Sequence, residues 1–372
     1  MDARRLKDSF SQIAMYGDEV ALFFYSDLFI KYPEIRDLFP ISMRAQRDHL
    51  IAALAQIVSH VDRADELTDF LDGLGRDHRK FGAVAEHYDA VCDCLLTTIA
   101  HFSGENWTGE LAADWTEAFH TIAGVMIAAA KRDESVNPAC WQGTIIGTEH
   151  RSFDITVLQV KPEPTMSYLP GQSVAIETPR RPRLWRYYSI ANAPREDGTL
   201  EFHVRLIDGG AVSMALAAGQ AVGDDLRLGP PVGALTLDTE SGRDILLIAA
   251  STGLAPLKAL LEQVATLSKP PSVHVFFGAR TADGLYDLPS LEKMAAGHDW
   301  LTVTASVSSE RRFKGGETGS LPDVVSRHGS WSQHDVYLAG PTEMVHETTA
   351  RLTSAGTPRN QIHVEDFGWS EP

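Results

Sequence analysis

Cysteine is scarce in this 372-residue sequence: Cys92, Cys94 and Cys140 are too few and too unevenly spaced for a disulfide framework or a zinc site. Cys92 and Cys94 stand two apart in a helical pattern, which puts them on different faces as packing residues. Basic residues are in deficit as well. With 33 Lys and Arg against 50 Asp and Glu the formal net charge is -17, so nucleic acid or an anionic membrane is not an expected partner. No apolar run is long enough to cross a bilayer, and the opening MDARRLKDSF lacks the apolar segment of a secretion signal. The expectation is a cytoplasmic monomer with no transmembrane segment. Repeats and low-complexity tracts are missing too, and 44% hydrophobic with 22% charged residues is an ordinary globular composition. At about 100 to 200 residues per domain, the length implies two or three domains.

What is present changes character twice. From residue 5 to about 131 apolar residues recur at helical spacing, as in Val20, Phe23, Phe24, Asp27 and Leu28, or Leu111, Trp115, Phe119, Ile122 and Met126, so six or more helices are expected. Pro33 is placed to open a short helix. Asp133 to Pro138 is polar, ends in proline and reads as a linker. Short β-rich runs follow, such as Phe153 to Val160, Ser173 to Glu177, Arg186 to Ala191 and Leu200 to Leu206, separated by Gly, Pro and Asp turns. After Gly242 apolar strands alternate with amphipathic helices. The fold class expected is multidomain: an all-α domain over 1–135, an antiparallel β-barrel over 139–240, and an α/β doubly wound parallel sheet over 241–372.

A haem iron needs a histidine whose second ring nitrogen is anchored, beneath a distal pocket with few polar groups. The helical part contains Phe23 to Phe29, Pro33 to Phe39, Gln46-Arg47-Asp48-His49-Leu50 and Arg76-Asp77-His78, with Tyr88 ten residues beyond. Singly, each side chain has an ordinary reading as core or surface. In this order they resemble the globin domain of bacterial haemoglobins and flavohaemoglobins. That resemblance implies haem b with His78 as proximal ligand and metal-binding residue, Phe39 packed on the haem, Tyr25 as distal hydroxyl and Tyr88 against the histidine. It also implies Gln46 with Leu50 as the distal pair, although a different gap in the loop after Phe39 brings His49 to that position. Two departures stand out. Ala130 occupies the place of a glutamate that usually completes the proximal network, and Asp77 replaces a common lysine. Without that carboxylate the imidazole donates less electron density to iron, which speaks against peroxidase-like chemistry.

Arg186-Tyr187-Tyr188-Ser189 resembles the R-x-Y-S flavin signature of ferredoxin-reductase-like enzymes, flanked by Pro170-Gly171-Gln172 and Ile190 to Pro194. The resemblance implies FAD, with Arg186 on the pyrophosphate, Tyr188 stacked on the isoalloxazine and Ser189 bonded to its reactive nitrogen. Gly209 to Ser213, including Gly210, Val212 and Ser213, resembles the loop and helix start that hold flavin phosphates. The turn Ser251-Thr252-Gly253-Leu254-Ala255-Pro256 lies between strand and helix, as a nucleotide-binding turn does, with Ser251 where the first glycine belongs. Arg280 after the next strand, Gly340 and Pro341 after a later one, Glu365, and Phe367 as the ring covering the flavin complete the resemblance. Ala339 stands where relatives have cysteine. The preference leans to NADH over NADPH, since apart from Arg280 and Lys293 no basic cluster follows strand 273–278.

Taken whole, the chain resembles a flavohaemoglobin. Its implied activity is a nitric oxide dioxygenase in which nicotinamide electrons pass through FAD to haem, and O2 and NO become nitrate. The rival expectations are a flavohaem reductase serving another acceptor and a non-catalytic gas or redox sensor.

Overall fold

The computed structural model describes residues 1–365. Two units divide the chain, the first over residues 1–140 and the second over most of the remainder.

The first unit is helical: α1 (Ala3–Ala14), α2 (Asp18–Lys31), α3 (Arg44–Ser59), α4 (Ala64–His78), α5 (Ala85–Ser103) and α6 (Gly109–Glu134), with a 3-10 turn over Pro33–Leu38. Proline suits that first turn because the N–H it lacks would have no helical partner there. The Asp2 carboxylate caps α1 by accepting from the Arg4 and Arg5 N–H groups, and the Thr108 hydroxyl caps α6 through Leu111. Leu6, Ile13, Phe24, Leu28, Ile99, Trp115 and Phe119 meet in the core. Trp115, 2% exposed, donates its indole N–H to the Ser9 hydroxyl at 3.3 Å, so its polar end is satisfied where its apolar body is buried.

Cys92 and Cys94 are packing residues as expected, both buried because α5 is packed by α2 as well as by α1 and α6. One expectation about this unit needs correction. The supposed linker is a helix end tied down. Asp133 still belongs to α6, is buried, ion-pairs with Arg79 and accepts from the Asn137 amide at 2.8 Å, while Arg79 donates to the Asn137 carbonyl at 3.0 Å. Its polarity serves internal bonds.

In the second unit, β1 (Trp141–His150), β2 (Ile155–Glu163), β3 (Ser173–Glu177), β4 (Arg186–Ser189), β5 (Leu200–Arg205), α7 (Ala211–Ala218) and β6 (Asp225–Leu228) form the first half. The strands run antiparallel in the order β4-β3-β6-β1-β2-β5, and a bridge from Ile190 to Phe202 nearly closes them into a barrel. Phe153, expected to begin a strand, is 95% exposed in the preceding turn. The second half comprises β7 (Asp244–Ala250), α8 (Leu254–Val264), β8 (Val273–Ala279), α9 (Leu288–Ala296), β9 (Leu301–Val307), β10 (Glu317–Thr318), α10 (Leu321–Arg327), β11 (His334–Ala339), α11 (Thr342–Ser354) and β12 (Ile362–Val364). Its strands are parallel in the order β10-β9-β8-β7-β11-β12, so the strand order reverses between β7 and β11. Crevices for nucleotides open at such a reversal. Among the described residues no helix is long and apolar enough to cross a membrane.

Candidate functional sites

His78 is the last residue of α4, and its Nδ1 lies 2.8 Å from the Leu74 carbonyl. A carbonyl only accepts, so Nδ1 carries the proton and donates, leaving Nε2 as the lone-pair nitrogen. Burial lowers the pKa of His78 against the opposing pull of Asp77, which keeps the ring neutral. A half-buried, neutral, anchored imidazole with Nε2 unpartnered among the described residues fits a haem iron ligand. Asp77, the departure noted above, ion-pairs with buried Lys80 one turn later, so the two charges offset each other beside the histidine. Tyr88 does not bond His78. It packs with Ile57, Leu71, Leu74 and Met126, its phenol is pushed up to about 12 by burial, and it makes no hydrogen bond among the described residues. The reason is geometric: the donor nitrogen of His78 already serves Leu74. Ala130 is half-buried on α6 and brings no carboxylate.

The Tyr25 hydroxyl donates to the Gln46 carbonyl at 3.2 Å, which seats the first turn of α3 on α2. Burial drives this phenol far above its ordinary value, so it stays a donor. Phe39 meets Tyr25 edge to face at 5.5 Å, Leu50 joins the same core, and Leu38 lies against Gly82, four residues past His78. His49 follows Gln46 on α3.

In the barrel, Ser189 of β4 is paired across the ladder with Ser173 of β3. Opposed residues share a face. Both hydroxyls donate to the same Glu365 oxygen, at 2.8 Å from Ser189 and 3.0 Å from Ser173. Burial pushes the Glu365 carboxyl up to about 7, against the pull of the two hydroxyls. Arg186 donates to the Trp185 carbonyl at 2.9 Å and has no carboxylate partner among the described residues, so its charge fits a pyrophosphate. Tyr188 is half-buried, and burial raises its phenol pKa. Val212 is buried and Ser213 bonds within its own loop, to the Gly210 carbonyl and the Ile207 N–H. What this segment offers a phosphate is therefore the N–H groups at the start of α7. Phe367 lies outside the described residues.

Glu365 carries a pH prediction. A carboxyl raised from 4.5 to about 7 by folding adds stability that is complete below 4.5 and lost as pH rises through about 7. Glu365→Gln cannot ionise, so it should gain on the parent protein as pH rises, by ~3 kcal/mol once the carboxyl is fully ionised. Urea unfolding at pH 5.0 and 8.5 measures the change. A difference between the two proteins that is the same at both pH values would show that Glu365 titrates normally.

At the strand reversal, Thr252 and Gly253 form the turn between β7 and α8, and Pro256 lies in the first turn of α8. A Cβ on Gly253 would stand 2.3 Å from the Ala339 carbonyl oxygen, so only glycine brings this turn against the end of β11, where Gly340 and Pro341 lead into α11. Such a bare backbone cradle fits a dinucleotide pyrophosphate. Ser251 adopts φ 54°, a left-handed conformation that favours glycine and costs about 1 kcal/mol or more in other residues, while its hydroxyl lies 3.3 Å from Arg205 Nη1. Arg280 is exposed at the end of β8.

A buried polar network joins the two halves of this unit, and nothing in the sequence pointed to it. Lys258 of α8 reaches Glu201 of β5 at 2.8 Å and Asp287, before α9, at 3.1 Å. Arg151 pairs with Asp287, and His203 bridges Glu201 at 3.1 Å and the Tyr286 hydroxyl at 2.7 Å. Burial alone would raise the Glu201 pKa, but the His203 hydrogen bond and the Lys258 charge together hold it well below the usual range.

Comparison with known proteins follows the same division. A globin family profile matches residues 22–126, an oxidoreductase FAD-binding domain profile matches 143–237, and an oxidoreductase NAD-binding domain profile matches 247–350. The chain is 28% identical over 386 residues to a flavohemoprotein of Bordetella pertussis, covering 95% of this chain and 94% of that one. It is 31% identical over 222 residues to the electron transfer component of a xylene/toluene monooxygenase of Pseudomonas putida, covering 58% of this chain and 62% of the relative. The crystal structure of a flavohemoglobin from Malassezia yamatoensis superposes with a TM-score of 0.82 at 21% identity, over 98% of both chains, which shows the shared fold.

Proposed function

From a chain that belongs to the flavohaemoglobins, we propose an NAD(P)H-dependent nitric oxide dioxygenase, acting on O2 and NO as a cytoplasmic monomer. The observation that carries this reading is the donor set of one polypeptide: a neutral, anchored His78 in the helical unit and the Ser189–Glu365 pair in a unit with a nucleotide crevice.

When bound, nicotinamide, FAD and haem supply a hydride, its division into single electrons, and an iron that takes up O2. The rest is the work of side chains. His78 would hold iron through Nε2, its ring fixed by the Leu74 carbonyl. Arg186 and the N–H groups at the start of α7 would hold the flavin phosphates, Tyr188 its ring, and Ser189 its reactive nitrogen. Glu365 holds a proton near neutral pH one hydrogen bond from Ser189, so that hydroxyl stays oriented. Thr252, Gly253, Pro256, Arg280, Gly340 and Pro341 would receive the nicotinamide dinucleotide. Tyr25 would turn its one hydroxyl proton from the Gln46 carbonyl to the oxygen ligand, beside the Gln46 side chain, and Phe39 and Leu50 would shield it from water.

The test is to mix purified protein with NAD(P)H, O2 and NO. Rapid loss of NO with equal nitrate is expected; haem reduction without NO loss would replace this reading with electron relay to another acceptor. That second reading is favoured by the proximal side, where Asp77 is offset by Lys80 and α6 offers Ala130. Tyr25→Phe should release O2 about tenfold faster, the loss of roughly one hydrogen bond. Flash photolysis or stopped-flow displacement reads the rate, and an unchanged value would remove the hydroxyl from the distal role.

A further inference from the structure

Helix α8 starts at the nucleotide turn Ser251–Gly253. Two of its side chains, Lys258 and Glu262, are four residues apart and so stand one above the other on one face. Both reach across to the barrel. Lys258 meets the Glu201 carboxylate of β5 at 2.8 Å. Glu262 accepts through Oε2 from the Ala193 N–H at 3.0 Å, and its Oε1 lies 3.5 Å from Arg195. A third contact comes from Leu260 of the same helix: a Cβ on Gly171, in the Pro170-Gly171-Gln172 flank of the flavin strand, would stand 3.0 Å from its side chain.

The segment that Glu262 holds runs on from the flavin strand, which ends at Ser189. Ile190, Ala191 and Asn192 are fully buried and Ala193 nearly so. The Ile190 N–H donates to the Gln172 carbonyl at 3.0 Å, and the Ala191 N–H to the Glu201 carbonyl at 2.8 Å. The Asn192 side chain donates to the Thr199 and Ala193 carbonyls at 3.0 and 2.8 Å and accepts from the Glu201 N–H at 2.7 Å. Those partners all belong to the barrel. Of these bonds, only the one from the Ala193 N–H crosses to the parallel-sheet half. Pro194 follows and has no N–H to offer, so Glu262 secures the end of the segment.

We propose that Glu262 is a positioning residue for hydride transfer: by gripping Ala193 from the helix that opens at the nucleotide turn, it sets the separation of nicotinamide and flavin beside Ser189. The inference rests on the reductase reading above and adds a residue to it. The hydride leaves the nicotinamide ring with both electrons and joins the flavin, giving oxidised nicotinamide and reduced flavin with no further reactant. Such a step is steep in distance, since reacting atoms belong about 3–3.5 Å apart and a misplacement of about 1 Å slows transfer up to about a hundredfold. A single helix that spans from the nucleotide turn to the flavin segment fixes that spacing. Glu262 lies about 14 Å along the helix from Gly253, too far to hold the nucleotide phosphates itself.

The role requires reach rather than charge, because the bond comes from a main-chain N–H. Glutamine keeps the reach and loses the charge, whereas aspartate keeps the charge and is one methylene short. In full-length protein carrying haem and FAD, anaerobic stopped-flow absorbance follows flavin reduction by NADH and by NADPH. The saturating rate constant of Glu262→Asp should fall about tenfold or more, with nucleotide Kd and FAD content unchanged. Nucleotide deuterated at the transferring position should still show a primary isotope effect in that variant. Glu262→Gln should stay within about twofold of the parent, because a half-exposed ion pair with Arg195 contributes little.

Hydrogen exchange read by mass spectrometry, with no nucleotide present, should follow the same order. The peptide containing Ala193 should exchange about tenfold faster in Glu262→Asp and at the parental rate in Glu262→Gln. Parental flavin reduction in Glu262→Asp, an equal slowing in Glu262→Gln, or loss of the isotope effect would overturn the inference. Failure of the reductase reading looks different: neither nucleotide would reduce the parent's flavin, and the exchange rates of the two variants would still decide whether Glu262 holds the segment.

Discussion

His78→Ala protein, produced with haem in excess, should retain less than about a tenth of the haem of the parent while keeping its full complement of FAD. The Nε2 of His78 is the nitrogen left available once Nδ1 has donated to Leu74, so alanine would remove the coordinate bond proposed for it and leave only the apolar contact proposed for Phe39 and Leu50 to retain the group. The Soret band relative to flavin absorbance reads the result directly. Imidazole added to the variant should restore part of the band, because the space vacated by the ring lies beneath the same carbonyl. A variant that keeps its haem unchanged would move the ligand elsewhere and take the dioxygenase reading with it. A misfolded first unit is distinguished by its far-ultraviolet circular dichroism, which should match the parent.

Lys258→Met should destabilise the second unit by about 3–5 kcal/mol, lowering its unfolding midpoint in urea with unit 1 unaffected. The ammonium stands between two carboxylates, and Asp287 is fully buried while Glu201 is nearly so. Methionine fills much of the same volume but leaves two neighbouring acids short of a cation in a place water does not reach. Combining Lys258→Met with Glu201→Gln should recover part of the loss, since the two side chains are directly coupled. Equal unfolding of the parent and Lys258→Met would mean that water, rather than the lysine, compensates the acids. Flavin fluorescence follows the transition, because both halves of the unit converge on the Ser189–Glu365 pair.

The same network shows where sequence reading stops. In Leu200-Glu201-Phe202-His203-Val204 the alternation is that of a half-buried strand, and it puts Glu201 and His203 toward solvent. Both are buried, because α8 and the segment before α9 cover that face of β5. Periodicity reports that two faces differ, and it is silent on whether a second half of the unit covers the polar one. Helix α9 and strand β9 each carry their own apolar rhythm and a clear stop, which sequence alone displays. Strands β6 and β10, four and two residues long, leave no such trace, since so short a run exists only by the hydrogen bonds its neighbour supplies.

The sites divide in the same way. The strand Arg186 to Ser189 is legible because its signature is contiguous, and the turn at Thr252 and Gly253 because a strand, a glycine and a helix follow one another. The meeting of Glu365 with Ser173, 192 residues away, has no local trace. Tyr88 makes no hydrogen bond among the described residues, and the Leu74 carbonyl, a main-chain group that no sequence motif marks, is what anchors His78. Ser251 reads as a defect in a glycine pattern, yet its backbone takes the left-handed form that a glycine would.

The clamp between Arg79 and Asp133 gives the molecule a mechanical property. At the end of α6 the guanidinium of the residue next to His78 grips both the Asp133 carboxylate and the Asn137 carbonyl. The last turn of α6 therefore cannot fray without also releasing the chain just past His78, so the two helix ends loosen together or not at all.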